Sequence, residues 1–145
     1  MAIRTATAEW QGDLPTGRGT FSSASGAIDG AYSFSTRFGE EPGPNPEELI
    51  AAAHSSCFSM QLSGVLSQGG NPPDSVRTEA RVQLLKQGEG FGITRIELAT
   101  VGRVPGIDQA AFEQAAQTAK EICPISQALA AVPEITVEAR LEGQG

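Results

Sequence analysis

The sequence predicts an α+β fold, and three observations carry that prediction. Residues 76–84 and 135–142 alternate apolar and polar side chains with period two, as half-buried strands do. A long run from Asn45 to Gln68 reads as one helix, and the elements follow in the order βββ–α–ββ–αα–β.

Residues 3–11 form a short strand that holds Trp10, followed by the loop Gly12-Asp13-Leu14-Pro15-Thr16-Gly17. Segments 18–23 and 27–35 pair through Ala24-Ser25-Gly26, which makes an N-terminal meander of two or three strands. Residues 34–39 leave the meander, and Glu40-Glu41-Pro42-Gly43-Pro44 leads into the central helix.

That helix is well signalled at its start. Asn45 suits an N-cap, Pro46 the first helical position, and Glu48 the return half of a capping box. It stops at Gly69-Gly70-Asn71-Pro72-Pro73. Leu49, Ala53, Cys57 and Met60 make one row, and Ile50, His54, Phe58 and Leu62 the next. Ala52, Ser56, Ser59 and Ser63 make a third row of small side chains. With no charged face after its first turn, the helix is expected to be buried almost all round, its small row allowing close approach of another element.

Beyond the double proline, 76–84 is a strand with one buried face, turned by Gly88-Glu89-Gly90, and 91–103 returns beside it. Asp108 caps a helix whose Ile107, Phe112, Ala115, Ala119 and Ile122 share a side. Cys123-Pro124 interrupts it, 125–132 resumes as a second helical piece, and 135–142 ends the chain as a strand. The 145 residues make one domain, 1–145, with no repeat and no dividing linker.

The composition limits the functional classes. A formal charge of −7 and a pI near 4.6 argue against nucleic acid or an anionic membrane as main partner. No apolar leader stands at the start and no stretch is expected to reach the length of a membrane span, so a cytoplasmic location is expected. In that compartment two cysteines are reduced, catalytic or redox-active rather than a permanent staple. One His and two Cys do not complete a structural zinc site, and no metal is expected.

Each candidate residue has two readings. Cys123, before Pro124 at a helix start, lies where free N–H groups favour a thiolate. Cys57, in mid-helix, reads as a core cysteine whose pKa burial would raise, unless the fold brings it a cation. Arg37, between Phe34 and Phe38, could be that cation or a solvated loop arginine. Glu47 and Glu48 fit a helix first turn. His54, at i−3 from Cys57, reads as a core histidine bonded to backbone or serine, or as a partner of Cys57.

Two stretches, Asn45-Pro-Glu-Glu-Leu-Ile-Ala-Ala-Ala-His-Ser-Ser-Cys-Phe-Ser-Met60 and Cys123-Pro-Ile-Ser-Gln-Ala-Leu129, closely resemble the OsmC branch of the OsmC/Ohr family. This family comprises osmotically inducible and organic hydroperoxide resistance proteins. Glu9-Trp10-Gln11-Gly12-Asp13, Gly17-Arg18-Gly19-Thr20, Thr36-Arg37-Phe38 and Val104-Pro105-Gly106-Ile107-Asp108 match as well, so the resemblance covers essentially the whole chain in order. His54 and the Ile125-Ser126 pair look more like the OsmC branch than the Ohr branch.

The resemblance implies an OsmC-like fold of antiparallel sheets around a long buried helix, assembled as an intertwined homodimer with two interfacial sites. It implies a thiol-dependent peroxidase acting on organic hydroperoxides, without metal, flavin or other cofactor. Cys57 matches the peroxidatic cysteine, Cys123 the resolving cysteine, Arg37 the arginine that stabilises the thiolate, and Glu47 the carboxylate that holds that arginine. The reductant it implies is an external thiol or dithiol, or a lipoylated protein. Leu49, Ile50, Phe58 and Met60, with Phe34 and Phe38, are expected to line the substrate site. A non-enzymatic module binding a lipid-like ligand and a redox sensor without turnover are the competing readings.

One geometric expectation goes further. Glu47 and Cys57 are ten residues apart, roughly 15 Å along a straight helix. Glu47 is therefore expected to serve Cys57 of the partner subunit, with the protomer that supplies Arg37 left open.

Overall fold

A computed structural model of the chain describes residues 2–143. They form two compact units that divide between Leu49 and Ile50.

The first unit holds a three-stranded antiparallel sheet in the order β1 (Ala6–Gln11), β2 (Arg18–Ser23), β3 (Asp29–Tyr32). Trp10, Gly19 and Tyr32 lie in register across it, with the two ring centroids 5.5 Å apart. A Cβ on Gly19 would fall within 2.8 Å of the Trp10 ring and closer still to Tyr32, so only glycine lets the two rings meet over the middle strand.

The third strand ends earlier than the expected 27–35. At Ser33 the chain turns into a short helix, α1 (Phe34–Phe38), so Arg37 sits on a helix rather than after a strand. The cause is local. The Ser33 N–H donates to Thr36 Oγ1 at 2.8 Å, and the Ser33 hydroxyl accepts from the Thr36 N–H at 3.3 Å, a capping box that outcompetes strand pairing.

The long helix α2 (Pro46–Gln68) begins as expected, Asn45 Oδ1 accepting from the Glu48 N–H at 2.8 Å. The Asn45 amide also donates to the Thr36 carbonyl at 3.0 Å, which ties the end of α1 to the start of α2.

The second unit is built on the sheet β4 (Ser75–Gln87), β5 (Gly90–Arg103), β6 (Glu134–Leu141). The first pair is antiparallel, with an irregularity at Gln83/Leu84. β6 departs from the expected antiparallel arrangement and joins β5 parallel. A parallel neighbour requires a crossover, and the helices α3 (Gln109–Ile122) and α4 (Pro124–Ala128) supply it. Asp108 caps α3, accepting from the Ala111 N–H at 2.8 Å. Gln109 then binds both the Ala139 carbonyl and the Leu141 N–H at 2.8 Å, anchoring that helix to β6.

The core of this unit joins Phe58, Leu62 and Leu66 of α2 to Ile96 and Leu98 of β5 and to Phe112, Ala116 and Ala119 of α3. Burying a side chain of the size of Phe58 or Leu62 contributes about 1.5–3 kcal/mol. Ile122, expected on the apolar side of α3, is 44% exposed at its last turn.

α2 is not buried all round. His54, Phe58, Leu62 and Leu66, at four-residue spacing, form its buried row, while Ala52, Ala53, Ser56 and Met60 are exposed, Met60 by 80%. The small-residue row divides: Ser59 turns inward and donates to Thr78 Oγ1 at 2.8 Å, which donates in turn to Thr100 at 3.0 Å. Periodicity showed that these rows are small or apolar but not which of them packs inside one chain. α2 also corrects the membrane-span expectation. Its 23 residues, with a mean hydropathy of 1.2 over an 18-residue window, suffice to cross a membrane by length and composition, as do many core helices, and its Phe58–Leu62–Leu66 row packs in the core.

Candidate active site

The four expected site residues fall into two pairs, one in each unit: Arg37 with Glu47, and Cys57 with Cys123.

Arg37 lies in the last turn of α1 and Glu47 in the first turn of α2. The Arg37 Nε meets both carboxylate oxygens at 3.2 Å, and Nη2 meets Oε1 at 2.8 Å. This fork fixes the plane of the guanidinium, which a lysine could not do. Glu47 is buried, and the Arg37 guanidinium stands 5.1 Å over the Phe38 ring. The hydrogen bonds that Arg37 donates to Glu47 raise its pKa against the opposing effect of burial, with the Glu47 charge and Tyr32 adding to the rise. Arg37 therefore carries a permanent, oriented charge.

Beside it is a hollow of about 330 Å³ lined by Trp10, Leu14, Tyr32, Phe34, Phe38 and Arg37. Its aromatic and aliphatic wall, with one cation, suits an apolar group that carries a polar head. The sequence pointed to Phe34 and Phe38; it missed Trp10, Leu14 and Tyr32, which only the folded meander brings to Arg37. A larger hollow of about 670 Å³, lined from Glu9 round to Glu41, contains neither Arg37 nor a cysteine. The smaller one has the chemistry. Phe58, expected in the lining, is instead fully buried in the core of the second unit.

In the second unit Cys123 is both the C-cap of α3, its N–H donating to the Ala119 carbonyl at 2.9 Å, and the N-cap of α4. Pro124 holds the preceding residue extended, with Cys123 at φ −62° and ψ 119°, and starts the next helix at once. The Ile125 and Ser126 N–H groups are thereby left without intrahelical partners and act on the sulfurs. Both cysteines are free, Cys123 buried and Cys57 half-buried, and their Sγ atoms lie 3.2 Å apart.

The two thiols are unequal. Burial pushes Cys123 up, but the Ser126 N–H, the Cys57 thiol, the Ser126 hydroxyl and the Ile125 N–H together outweigh it, so its pKa is lowered. Burial raises Cys57; the Ile125 N–H opposes this, the Cys123 thiol and its charge add to it, and the net shift is upward. With both thiols protonated, Cys123 is placed to donate to Cys57. When one proton leaves, the charge settles on Cys123, because the N–H groups converge there.

His54 is fully buried and its Nε2 lies 2.7 Å from Ser126 Oγ, so it is the serine-bonded core histidine of the first reading rather than a partner of Cys57. Burial lowers its pKa and keeps the ring neutral.

A family model described as "OsmC-like protein" matches residues 39–138. The chain is 48% identical over 136 residues to the peroxiredoxin OsmC of Escherichia coli K12, covering 93% of this chain and 94% of that one. It is 32% identical over 96 residues to an organic hydroperoxide resistance protein of Xanthomonas axonopodis pv. citri, covering 66% of each chain. Among solved structures, the organic hydroperoxide resistance protein OhrB of Bacillus subtilis superposes with a TM-score of 0.67 at 26% identity, covering 95% of this chain and 98% of that one. One from Elizabethkingia anophelis gives 0.74 at 24% identity, over 97% and 96% of the two chains, a likeness of fold.

Proposed function

The chain belongs to the OsmC/Ohr family, on its OsmC branch, and from that premise we propose that it is a thiol-dependent peroxidase that reduces organic hydroperoxides to alcohols. Residues 1–145 act as one OsmC-like domain. The observation that carries the reading is the pair of reduced sulfurs, Cys57 and Cys123, 3.2 Å apart. A disulfide needs about 2.0 Å between its sulfurs, so a small movement closes the bond.

The Cys57 thiolate attacks the terminal oxygen of the hydroperoxide. The O–O bond breaks, the alkoxide takes a proton and leaves as alcohol, and Cys57 becomes a sulfenic acid. The Cys123 thiolate then attacks the Cys57 sulfur, the S–S bond forms, and hydroxide leaves and is protonated to water. An external dithiol, free or carried as a lipoyl group, reduces the disulfide. Cys123 thus protects Cys57 from further oxidation. No cofactor takes part in these steps.

Cys57 has a raised pKa and therefore needs a cation to form its thiolate. Arg37 is that cation, and the fork to Glu47 supports the assignment because it keeps the guanidinium oriented. Arg37 and Glu47 are paired within one chain, so the two act together. In the homodimer the Arg37–Glu47 pair of one protomer serves Cys57 of the partner subunit. The exposed Ala52, Ala53, Ser56 and Met60 face of α2 is the surface a second copy would cover. The hollow beside Arg37 accepts the alkyl or aryl group of the peroxide.

The test is peroxide consumption by the purified protein with a dithiol, comparing cumene hydroperoxide, tert-butyl hydroperoxide and hydrogen peroxide. Turnover that favours the organic peroxides is expected. Oxidation of the reduced thiols no faster than that of a free thiol would leave a binding module or sensor in its place.

A further inference from the structure

The chain's one histidine has no part in the chemistry above, yet it is fully buried. Its Nε2 lies 2.7 Å from the hydroxyl oxygen of Ser126, which is buried as well. His54 precedes Cys57 by three positions on α2, and Ser126 follows Cys123 by three positions at the start of α4. Residues that far apart on a helix are neighbours on one face, a single turn from each other. The hydrogen bond and the 3.2 Å sulfur contact are therefore neighbouring rungs between the same two elements.

The hydrogen-bonded rung is costly to break. His54 Nδ1 is buried and meets no hydrogen-bond partner among the described residues, so the ring relies on its contact with Ser126. If α4 slid away from α2, both ring nitrogens would be buried and unpaired, a heavier cost than an ordinary lost hydrogen bond. Either ring tautomer carries this cost, since Nε2 donates to the hydroxyl in one and accepts from it in the other. α4 has five residues, too few to hold its own place. Ile125 and Leu129 pack against the core, Gln127 Nε2 donates to the Glu121 carbonyl of α3 at 3.2 Å, and His54 supplies the tie to α2.

Resting on the peroxidase reading above, we propose that His54 and Ser126 are positioning residues for the resolving step. Their hydrogen bond holds the start of α4 in register with α2, so that Cys123 stays against Cys57 once Cys57 is a sulfenic acid. Two reactions compete for that acid. In one the Cys123 thiolate attacks the Cys57 sulfur, the S–S bond forms, and hydroxide leaves and is protonated to water. In the other the Cys57 sulfur attacks a second hydroperoxide, the O–O bond breaks, alcohol leaves, and Cys57 becomes a sulfinic acid. The first reaction is intramolecular, so its rate follows the local concentration of Cys123 at Cys57, which the rung raises. The His54–Ser126 pair thereby sets the peroxide level at which Cys57 over-oxidises.

Two measurements test this, with thermal melting of each variant as the folding control. The first needs no peroxide. Protein is equilibrated with mixtures of reduced and oxidised dithiothreitol, and the thiol–disulfide constant of the Cys57–Cys123 pair is read by alkylation and intact mass. His54→Leu and Ser126→Ala are each expected to shift that constant toward the dithiol about tenfold, the size of one buried hydrogen bond. The double variant should lose no more than either single one. His54→Gln, which keeps a donor at the Nε2 position, should restore the wild-type value. An unchanged constant in either folded single variant, or additive losses in the double variant, overturns the proposal. The second measurement follows oxidation by cumene hydroperoxide with stopped flow and mass spectrometry. Either single variant should keep the first phase, slow the disulfide phase about tenfold, and accumulate sulfinic acid at about a tenth of the peroxide that wild type needs. An unchanged disulfide phase overturns the proposal as well. A wild type that consumes no peroxide refutes the peroxidase reading instead, and the dithiothreitol constant then decides the role of the pair.

Discussion

Cys57 and Cys123 are separated by 66 positions, and their sulfurs lie 3.2 Å apart, one on the middle of α2 and the other at the junction of α3 and α4. On the proposed mechanism the two thiols divide the work of a peroxidase between them. Cys57→Ser should abolish thiol-dependent consumption of cumene hydroperoxide. Cys123→Ser should still consume about one equivalent per thiol and then stall at a sulfenic acid. Mass spectrometry of intact protein after a stoichiometric pulse separates the two, and full turnover by Cys57→Ser would refute the assignment.

The Arg37–Glu47 fork predicts both a loss and a rescue. Glu47→Gln removes the charge that orients the guanidinium and should slow the first oxidation about tenfold or more, in line with the loss of a charge-assisted contact. Service in trans makes a sharper prediction. Mixed subunits of Arg37→Ala and Cys57→Ser, each inactive alone, form heterodimers with one complete site and should recover about a quarter of wild-type activity. Recovery of none after verified subunit exchange would show that each chain completes its own site.

His54 should make stability depend on acid. Burial lowers its pKa below the ordinary 6.5, so below that value the unfolded chain binds a proton that the folded chain resists. Its contribution is fully present above pH 6.5 and is lost as pH falls toward the lowered value. Urea midpoints measured from pH 8 to pH 5 should decline more steeply for wild type than for His54→Gln. Parallel slopes would count against a buried neutral ring.

Gly102, buried on β5, leaves room for the Phe112 ring, and a Cβ there would collide with two of its ring carbons. Gly102→Ala should therefore destabilise by about 1–3 kcal/mol, the usual cost of overpacking. A thermal or denaturant melt checks it, and pairing Gly102→Ala with Phe112→Leu should recover part of the loss.

Much of the fold was legible because its signals are local. Asn45 and Asp108 cap helices where their side chains predict, Cys123-Pro124 breaks one helix and starts the next, and alternation in 76–84 and 135–142 marks strands. The turn of 34–38 into a helix was missed, although Ser33 and Thr36 carry a capping box three residues apart. That β6 would run parallel to β5 had no local signal.

The sequence by itself determined the order of the elements other than α1, the starts of α2 and α3, the family and the four residues worth testing, because capping, periodicity and motif spacing act over a few neighbouring residues. Only the tertiary structure decided which faces α2 buries, that Arg37 meets Glu47 of its own chain, that the two sulfurs lie 3.2 Å apart, and that the buried His54 meets Ser126. These depend on distances and desolvation between segments far apart in sequence, which no local pattern encodes.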